Sequence, residues 1–506
     1  MGTPIPPNRA RFTLGELRRV TGGRWLGEPP DEQGTLCGIC SDTRVLQPGQ
    51  AFVAIAGEQH DGHAHLPAAA HAGAAVALVE RAGSLELPVG LPVLCVTSSV
   101  AALGTLAARH LGRWRALGGS RRVVAITGSA GKTTTRQLIS SLLGALEPGW
   151  VHATRGNLNN LIGVPMVALG LGPEHRVAVL ELGTSRPGEI ATLCAQVEPD
   201  LGVLTLVAAA HGEGLGDIEQ VAQEKTALLR ALGPAGIAIG NGDDSRVAAG
   251  LARCGARRTI RYGFGAGLDY RIVERRLIGP GSARVVTARP DGSRLTTDLP
   301  LLGSAGALGF AAALATCESL LGRPLTESEV AHALGAWSDE AEAGRLRPRV
   351  LGDGVVLIDD SYNSNPASCR ASMAAAAEVA AHLGRELVLV LGEMRELGAV
   401  AEAEHRAVGR EAAGLGARAL IAVGGLGQLL AGEARRSGLR ARFAVDAGAG
   451  ARLALDEVRP GDVVLVKGSR GVRTEQVARA LLAAHDGPAP AVTGRPEPRP
   501  DRGPAP

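Results

Sequence analysis

Short apolar runs alternate with longer stretches of helical periodicity through most of this chain. Runs at 123–126, 177–182, 201–207 and 236–240 are apolar and β-branched enough for buried strands. A second series follows at 355–358, 387–391, 420–423 and 463–466. Between the two, 271–298 alternates apolar and polar positions around Pro290-Asp291-Gly292, which predicts an antiparallel insert. Ahead of both, a helix signal near Thr13 and short strands at 51–56, 75–80 and 92–97 predict a smaller α/β region. The alternation predicts an α/β protein with mostly parallel sheets and ligands at the carboxyl ends of the strands. Three ordered regions are expected, at 11–118, 119–338 and 339–485. Residues 1 to about 10 and 486–506, rich in Pro, Gly and Arg, are expected to be loose or disordered.

Composition narrows the class. With 506 residues there is room for about three or four ordinary domains. Hydrophobic residues make up 45% and charged ones 20%, the balance of a soluble globular protein. Aromatics are only 2%, so the cores must be built from Ala, Val and Leu. A net charge of +3 without a long basic run argues against a nucleic-acid partner. The apolar stretches read as shorter than a spanning helix, and no signal-peptide pattern opens the chain. No integral membrane segment and a cytoplasmic location are therefore expected. Seven scattered cysteines fit a reducing compartment. Cys37 and Cys40 form a C-x-x-C ahead of His60, His63, His65 and His71, but no second pair follows and the spacing matches no common zinc finger. Two structural thiols are the favoured reading.

The chemistry begins at Arg122–Leu146, read as strand, glycine turn, helix. Gly128 and Gly131 let the backbone of Thr127, Gly128, Ser129, Ala130 and Gly131 wrap a phosphate, with the helix adding its positive N-terminal end. Lys132 supplies a mobile charge for the β- and γ-phosphates, Thr133 a hydroxyl for Mg²⁺, and Thr134 continues the turn. The generic P-loop pattern asks for Gly at 126, where this chain has Ile126, so the pattern fails by one residue while the mechanism survives.

Two further apolar strands end in polar groups. Glu181 closes one, where an acid would be costly to bury without a cation; the alternative is a salt-bridged strand end. His211 closes another, ahead of Gly212-Glu213-Gly214; a lone histidine there is more often a satisfied polar group. Glu224 and Lys225 lie on the next helix, where a lysine is ordinarily a solvated charge.

Together, TGSAGKTTT (127–135), Glu181, His211 and the Glu224-Lys225 helix resemble the Mur ligases, which build the peptide stem of the bacterial cell wall. The segments TRGNLNNLIGVP (154–165) and DDSYNSNP (359–366) are more specific. They are similar to the family members that join D-alanyl-D-alanine to UDP-N-acetylmuramoyl-tripeptide. Residues 42–74 resemble the family's uridine-binding domain, and 391–398, His405 and 464–473 its C-terminal domain. The match runs from about 13 to 482. It implies a three-domain architecture with a central P-loop sheet and a C-terminal Rossmann-like domain. It also implies ATP-driven amide formation through an acyl phosphate, and a monomer. By this resemblance Thr133 and Glu181 hold Mg²⁺, and His211 helps hold a second. Lys225 aligns with a lysine that many members carbamylate. Asp42, Thr43, Arg44, Asn157, Asn159, Asn160, Ser185, Arg186, Tyr362 and Asn363 are placed at the substrates. Arg345 and Asp360 are placed at the nucleotide, which implies domain closure before chemistry.

One segment departs from the family. Its G-x-H-N-x-x-N-A-x-A-A run corresponds to GSAGALGFAAA (303–313), with Ala305, Gly306 and Gly309 at the His and Asn positions. The later asparagine normally helps hold adenine. This departure keeps open a binding protein that holds nucleotide or wall precursor without turnover. A sibling ligase with another amino acid acceptor is a further alternative, disfavoured because such siblings lack the GNLNN and DSYN pattern.

Overall fold

The computed structural model describes residues 6–8, 10–57, 60–80, 87–208, 212–335, 337 and 344–486. They group into two compact units. The first holds the residues up to 337 with Asn365–Ala371 and Met394–Glu404; the second holds 344–364, Ser372–Glu393 and 405–486.

In the first unit a nine-stranded sheet is built on Arg122–Thr127. Val177–Glu181 and Leu201–Leu204 flank that strand in parallel, and Val151–Ala153 lies beyond the first of them. On the other side follow Ile237–Asn241, Arg258–Gly263 and Tyr270–Gly279, still parallel. Ser282–Ala288 and Arg294–Leu299 then complete the expected antiparallel insert. The unbroken apolar runs have a simple cause. Val123 and Ala125 face one core and Val124 and Ile126 another, so both sides of the strand are covered. Arg258–Gly263 was not foreseen, because exposed Arg258 and Arg261 interrupt its apolar pattern.

The N-terminal part of this unit carries a five-stranded sheet in the order Arg24–Leu26, Val93–Cys95, Val76–Val79, Ala51–Val53, Ile39–Cys40. Arg11–Thr13 and Thr35–Cys37 form a separate ribbon. Thr13 caps the helix Leu14–Thr21, its Oγ1 accepting from the Glu16 N–H at 3.1 Å. The first residues are not all loose. Asn8 is buried; its amide donates to the Ile39 carbonyl at 2.7 Å and accepts from the Ile39 N–H at 3.0 Å. A side-chain amide thus stands in for a peptide group beside a strand end. Residues 487–506, expected to be disordered, lie outside the described residues.

A second correction concerns the helix Gly303–Leu321. By length and composition it is apolar enough to cross a membrane, contrary to the sequence expectation. It packs instead against Lys132–Leu146 and the sheet, with Phe310–Cys317 buried throughout, as the core helix of an Ala-rich protein does. Its glycines differ in their surroundings. A Cβ on Gly309 would meet Thr134 Cγ2 at 3.4 Å and Leu138 Cδ1 at 3.7 Å, ordinary contacts, whereas one on Gly306 would meet Leu301 Cβ at 2.8 Å. Gly309→Ala is therefore expected to stabilise the protein by up to about 1 kcal/mol through helix propensity, raising Tm. Gly306→Ala is expected to lower Tm. Thermal melts of the two variants check the contrast.

The second unit is a six-stranded sheet. Arg347–Val350 lies antiparallel at one edge, where Pro348 removes no needed ladder bond. Val356–Asp360, Val463–Lys467, Leu387–Gly392, Ala419–Val423 and Ala441–Ala444 follow in parallel. Both units are thus α/β with mostly parallel sheets.

Candidate active site

The glycine turn sits at the carboxyl end of Arg122–Thr127. Gly128 has φ 148° and Gly131 φ 86°. A Cβ on Gly128 would fall 2.0 Å from Thr205 Oγ1, so both conformation and space require glycine there. Thr205 Oγ1 lies 2.6 Å from the Ala130 carbonyl, and Thr127 Oγ1 donates to the Leu182 carbonyl at 2.7 Å. The Ser129 N–H donates to the Leu206 carbonyl at 2.7 Å. Neighbouring strand ends thus hold the turn in shape. Gly131 caps the helix Lys132–Leu146, whose first N–H groups and positive end follow the turn directly. Lys132 Nζ folds back to donate to the Gly128 carbonyl at 2.6 Å.

Glu181 lies at the same end of the adjacent strand and is buried. Thr133 Oγ1 donates to its Oε2 at 3.2 Å, and Arg136 Nε to its Oε1 at 2.7 Å. Arg136 thus supplies the cation that a buried acid at a strand end calls for. Thr133 and Glu181 bring a hydroxyl and a carboxylate together beside the phosphate turn. Such hard oxygen donors fit Mg²⁺, which takes few protein ligands and completes its shell with water and phosphate oxygens. His211 lies outside the described residues.

Lys225, on the helix Ile218–Arg230, has 0% exposure. No described residue lies within hydrogen-bond distance of its Nζ. Burial pushes its amine well below the ordinary lysine range; the Lys132 charge pushes the same way, against Glu224 and Glu189. It is not the solvated charge a helical lysine ordinarily is.

The asparagine segment abuts the loop after Glu181. The Gly183 N–H donates to the Asn159 carbonyl at 2.7 Å, and a Cβ on Gly183 would meet Asn159 Cγ at 2.8 Å. Asn157 is exposed, as are Ser185 and Arg186. Asn160 Oδ1 accepts from the Ile162 and Gly163 N–H groups at 3.1 and 2.8 Å, shaping the start of Gly163–Leu169. Asn365, counted with this unit, donates from Nδ2 to the Ser129 carbonyl at 3.0 Å. At the edge of the five-stranded sheet, Arg44 pairs with Asp42 at 2.6 Å and holds that carboxyl below its usual range; Thr43 lies between them. In the same part of the fold, Cys37 is exposed and Cys40 buried, its thiol pushed up by burial.

The second unit carries its own cluster. Asp360 Oδ2 accepts from buried Lys467 at 2.5 Å and from Ser372 at 2.6 Å, and its Oδ1 accepts from the Leu346 N–H at 3.1 Å. Lys467 also donates to the Asn363 carbonyl at 2.9 Å. The Arg345 guanidinium lies 3.8 Å from the Tyr362 ring centre, with Arg470 at 5.5 Å. Asp360 thus accepts from three protein groups and ties down the turn that follows Arg345.

Residues 126–317 match the Mur ligase middle domain, 344–470 the glutamate ligase domain of Mur ligases, and 35–110 the Mur ligase family catalytic domain. The chain is also 36% identical over 471 residues to the UDP-N-acetylmuramoyl-tripeptide–D-alanyl-D-alanine ligase of Escherichia coli K12, covering 93% of this chain and 98% of that one. The chain belongs to the Mur ligase family. Among its relatives, the enzyme of the same description from Bacillus subtilis is 30% identical, with 90% and 95% covered. A crystal structure of MurF from Acinetobacter baumannii is similar with a TM-score of 0.81 and 29% identity, covering 95% of this Mur ligase and all of that chain. MurF from Thermotoga maritima, solved with ADP, is similar with a TM-score of 0.75 and 27% identity, with 88% and 97% covered.

Sequence reasoning missed three groups in this Mur ligase: Arg136, Thr205 and Lys467. Lys467 had a signal, since it closes an apolar strand as Glu181 does. Arg136 and Thr205 act through partners distant in sequence, and nothing local marks them.

Proposed function

We propose that this Mur ligase joins D-alanyl-D-alanine to UDP-N-acetylmuramoyl-tripeptide at the expense of ATP, within three domains near 11–118, 119–338 and 339–485. The observation that carries the reading is the phosphate turn with Lys132, flanked by the Thr133–Glu181 oxygen pair and the buried amine of Lys225. Similarity over nearly the whole of the D-alanyl-D-alanine ligases supports the choice of acceptor.

The chemistry follows from the weakness of a carboxylate as an electrophile. A carboxylate oxygen of the tripeptide attacks the γ-phosphorus of ATP, and the bond to the bridging oxygen of ADP breaks. The dipeptide amine then attacks the acyl carbon, the C–O bond breaks, phosphate leaves, and the amine gives its proton to solvent. The turn from Thr127 to Thr134 binds the phosphates through backbone N–H groups, and Lys132 offsets charge on the transferring group. Mg²⁺, held by Thr133 and Glu181, would neutralise charge on the β- and γ-oxygens. Asn157, Asn159, Ser185 and Arg186 form the surface for the nucleotide-linked peptide, with Asp42, Thr43 and Arg44 toward the uridine. Arg345 offers a guanidinium to phosphate, and Tyr362 and Asn363 lie beside it toward the substrates. The need for ATP as phosphoryl donor supports a cytoplasmic reaction.

Lys225 fits carbamylation. Burial pushes its amine, which has no hydrogen-bond partner among the described residues, toward the neutral form whose lone pair attacks CO₂. A N–C bond and a carboxylate form, and one proton leaves.

Base recognition is where this chain should differ from its relatives. With Gly309 beside Thr134 and no asparagine there, ATP and GTP should be poorly distinguished. Gly309→Asn is expected to lower the KM for ATP about two- to tenfold, the worth of one hydrogen bond. Measuring kcat/KM for both nucleotides in both proteins checks this.

The function is tested by phosphate release with ATP, the tripeptide precursor and a panel of acceptors. D-alanyl-D-alanine is expected to support release, and single L-amino acids or diaminopimelate are not. Release with another acceptor alone would assign the sibling activity, and binding of precursor and nucleotide without release would assign a non-catalytic role.

A further inference from the structure

The loop between Glu181 and the helix Glu189–Val197 is clasped by two carboxylates. Glu189 Oε2 accepts from the Ser185 and Arg186 N–H groups at 2.7 and 3.1 Å. Glu224, on the helix Ile218–Arg230, is 6% exposed. Its Oε2 accepts from the Gly188 N–H at 2.7 Å and its Oε1 from the Ile190 N–H at 2.8 Å. The Thr184 hydroxyl lies 3.3 Å from Glu224 Oε1 and 2.8 Å from the Arg186 carbonyl. Gly214 also lies so close that a Cβ there would fall 1.9 Å from the Ser185 carbonyl oxygen.

A buried carboxylate needs donors, and Glu224 finds them in the loop itself. Its charge is balanced by two backbone N–H groups at the positive end of Glu189–Val197. The arrangement joins two features otherwise far apart in the chain. One is the exposed stretch bearing Ser185 and Arg186. The other is the helix Ile218–Arg230, on which Lys225 follows Glu224.

We propose that Glu224 is a positioning residue for the nucleotide-linked peptide: it fixes the Thr184–Ile190 loop against the helix that carries Lys225. The inference rests on the reading that Ser185 and Arg186 meet that substrate. A side chain with only a structural role would lower the folded fraction. A positioning residue changes how well the folded enzyme binds one particular substrate.

The experiment is steady-state kinetics on Glu224→Ala, Glu224→Gln and Arg186→Ala, with KM measured separately for the UDP-linked tripeptide, ATP and D-alanyl-D-alanine. Glu224→Ala is expected to raise the tripeptide KM about tenfold or more, with the KM for ATP changed by less than about twofold. Glu224→Gln keeps an oxygen that can accept from the loop and should recover most of the loss. If Glu224→Ala fails to fold, Thr184→Val removes the bridging hydroxyl and carries the same expectation at about threefold. A Glu224 or Thr184 variant with unchanged KM values, or one that alters all three alike, overturns the proposal. Arg186→Ala separates the two layers: an unchanged tripeptide KM there removes the underlying reading of the loop, whatever the Glu224 variants do.

Discussion

Lys132→Ala is expected to lower turnover by about a hundredfold or more while the protein remains folded. Lys132 Nζ lies 2.6 Å from the Gly128 carbonyl, at the mouth of a turn whose shape is held by other residues. Thr205, Thr127 and Ser129 keep that turn in place through the strand ends, so removing the lysine leaves the cradle standing. What is lost is a cation where negative charge shifts between the β- and γ-oxygens during transfer. Circular dichroism and thermal melts should match the parent, while single-turnover phosphate release falls. Near-normal release from a folded variant would remove the P-loop lysine from the mechanism.

Lys225→Ala is expected to lose activity to a similar degree and to regain part of it with formate or acetate. A carbamate is an anion on a long arm, and a small carboxylate diffusing into the vacated space replaces its charge. An ammonium could not be replaced that way, so the direction of rescue reports the state of the side chain. Full activity without any added acid would contradict the carbamate. The same residue leaves a mark on stability. In CO₂-free buffer the unfolded lysine keeps its proton up to about 10.5, while the buried one releases it well below that. The unfolded state therefore binds more protons across that window, and stability should rise with pH toward 10.5. Lys225→Met should flatten that rise, as read from urea midpoints across the alkaline range.

Much of this architecture is written locally. Buried strands need apolar residues on both faces, so Val123–Ile126 and its neighbours stand out in the sequence. Thr13 and the glycines of the phosphate turn are equally legible, because capping and positive φ each demand particular residues. Other features depend on partners the sequence does not announce. Asn8 is ordered by Ile39, thirty-one positions away. The apolar helix Gly303–Leu321 is buried by Lys132–Leu146 rather than by lipid, a fact its own composition cannot carry. In the candidate site, Glu181, Lys132 and Thr133 were readable from the strand–turn–helix pattern. Helix periodicity alone makes Lys225 a surface charge; only the family resemblance marks it for chemistry, and its burial is a property of the fold. Asp360, which the resemblance assigns to the nucleotide, also accepts from Lys467, Ser372 and the Leu346 N–H, contacts that no local pattern announces.

The central claim is that the tripeptide carboxylate is activated by phosphorylation in this protein. It is tested most directly with UDP-N-acetylmuramoyl-tripeptide carrying ¹⁸O in both oxygens of its reacting carboxylate, incubated with ATP and D-alanyl-D-alanine. The account predicts that each phosphate released carries one ¹⁸O and that the pentapeptide product retains the other in its new amide. Phosphate released without label, or released at the same rate without the dipeptide, would contradict it.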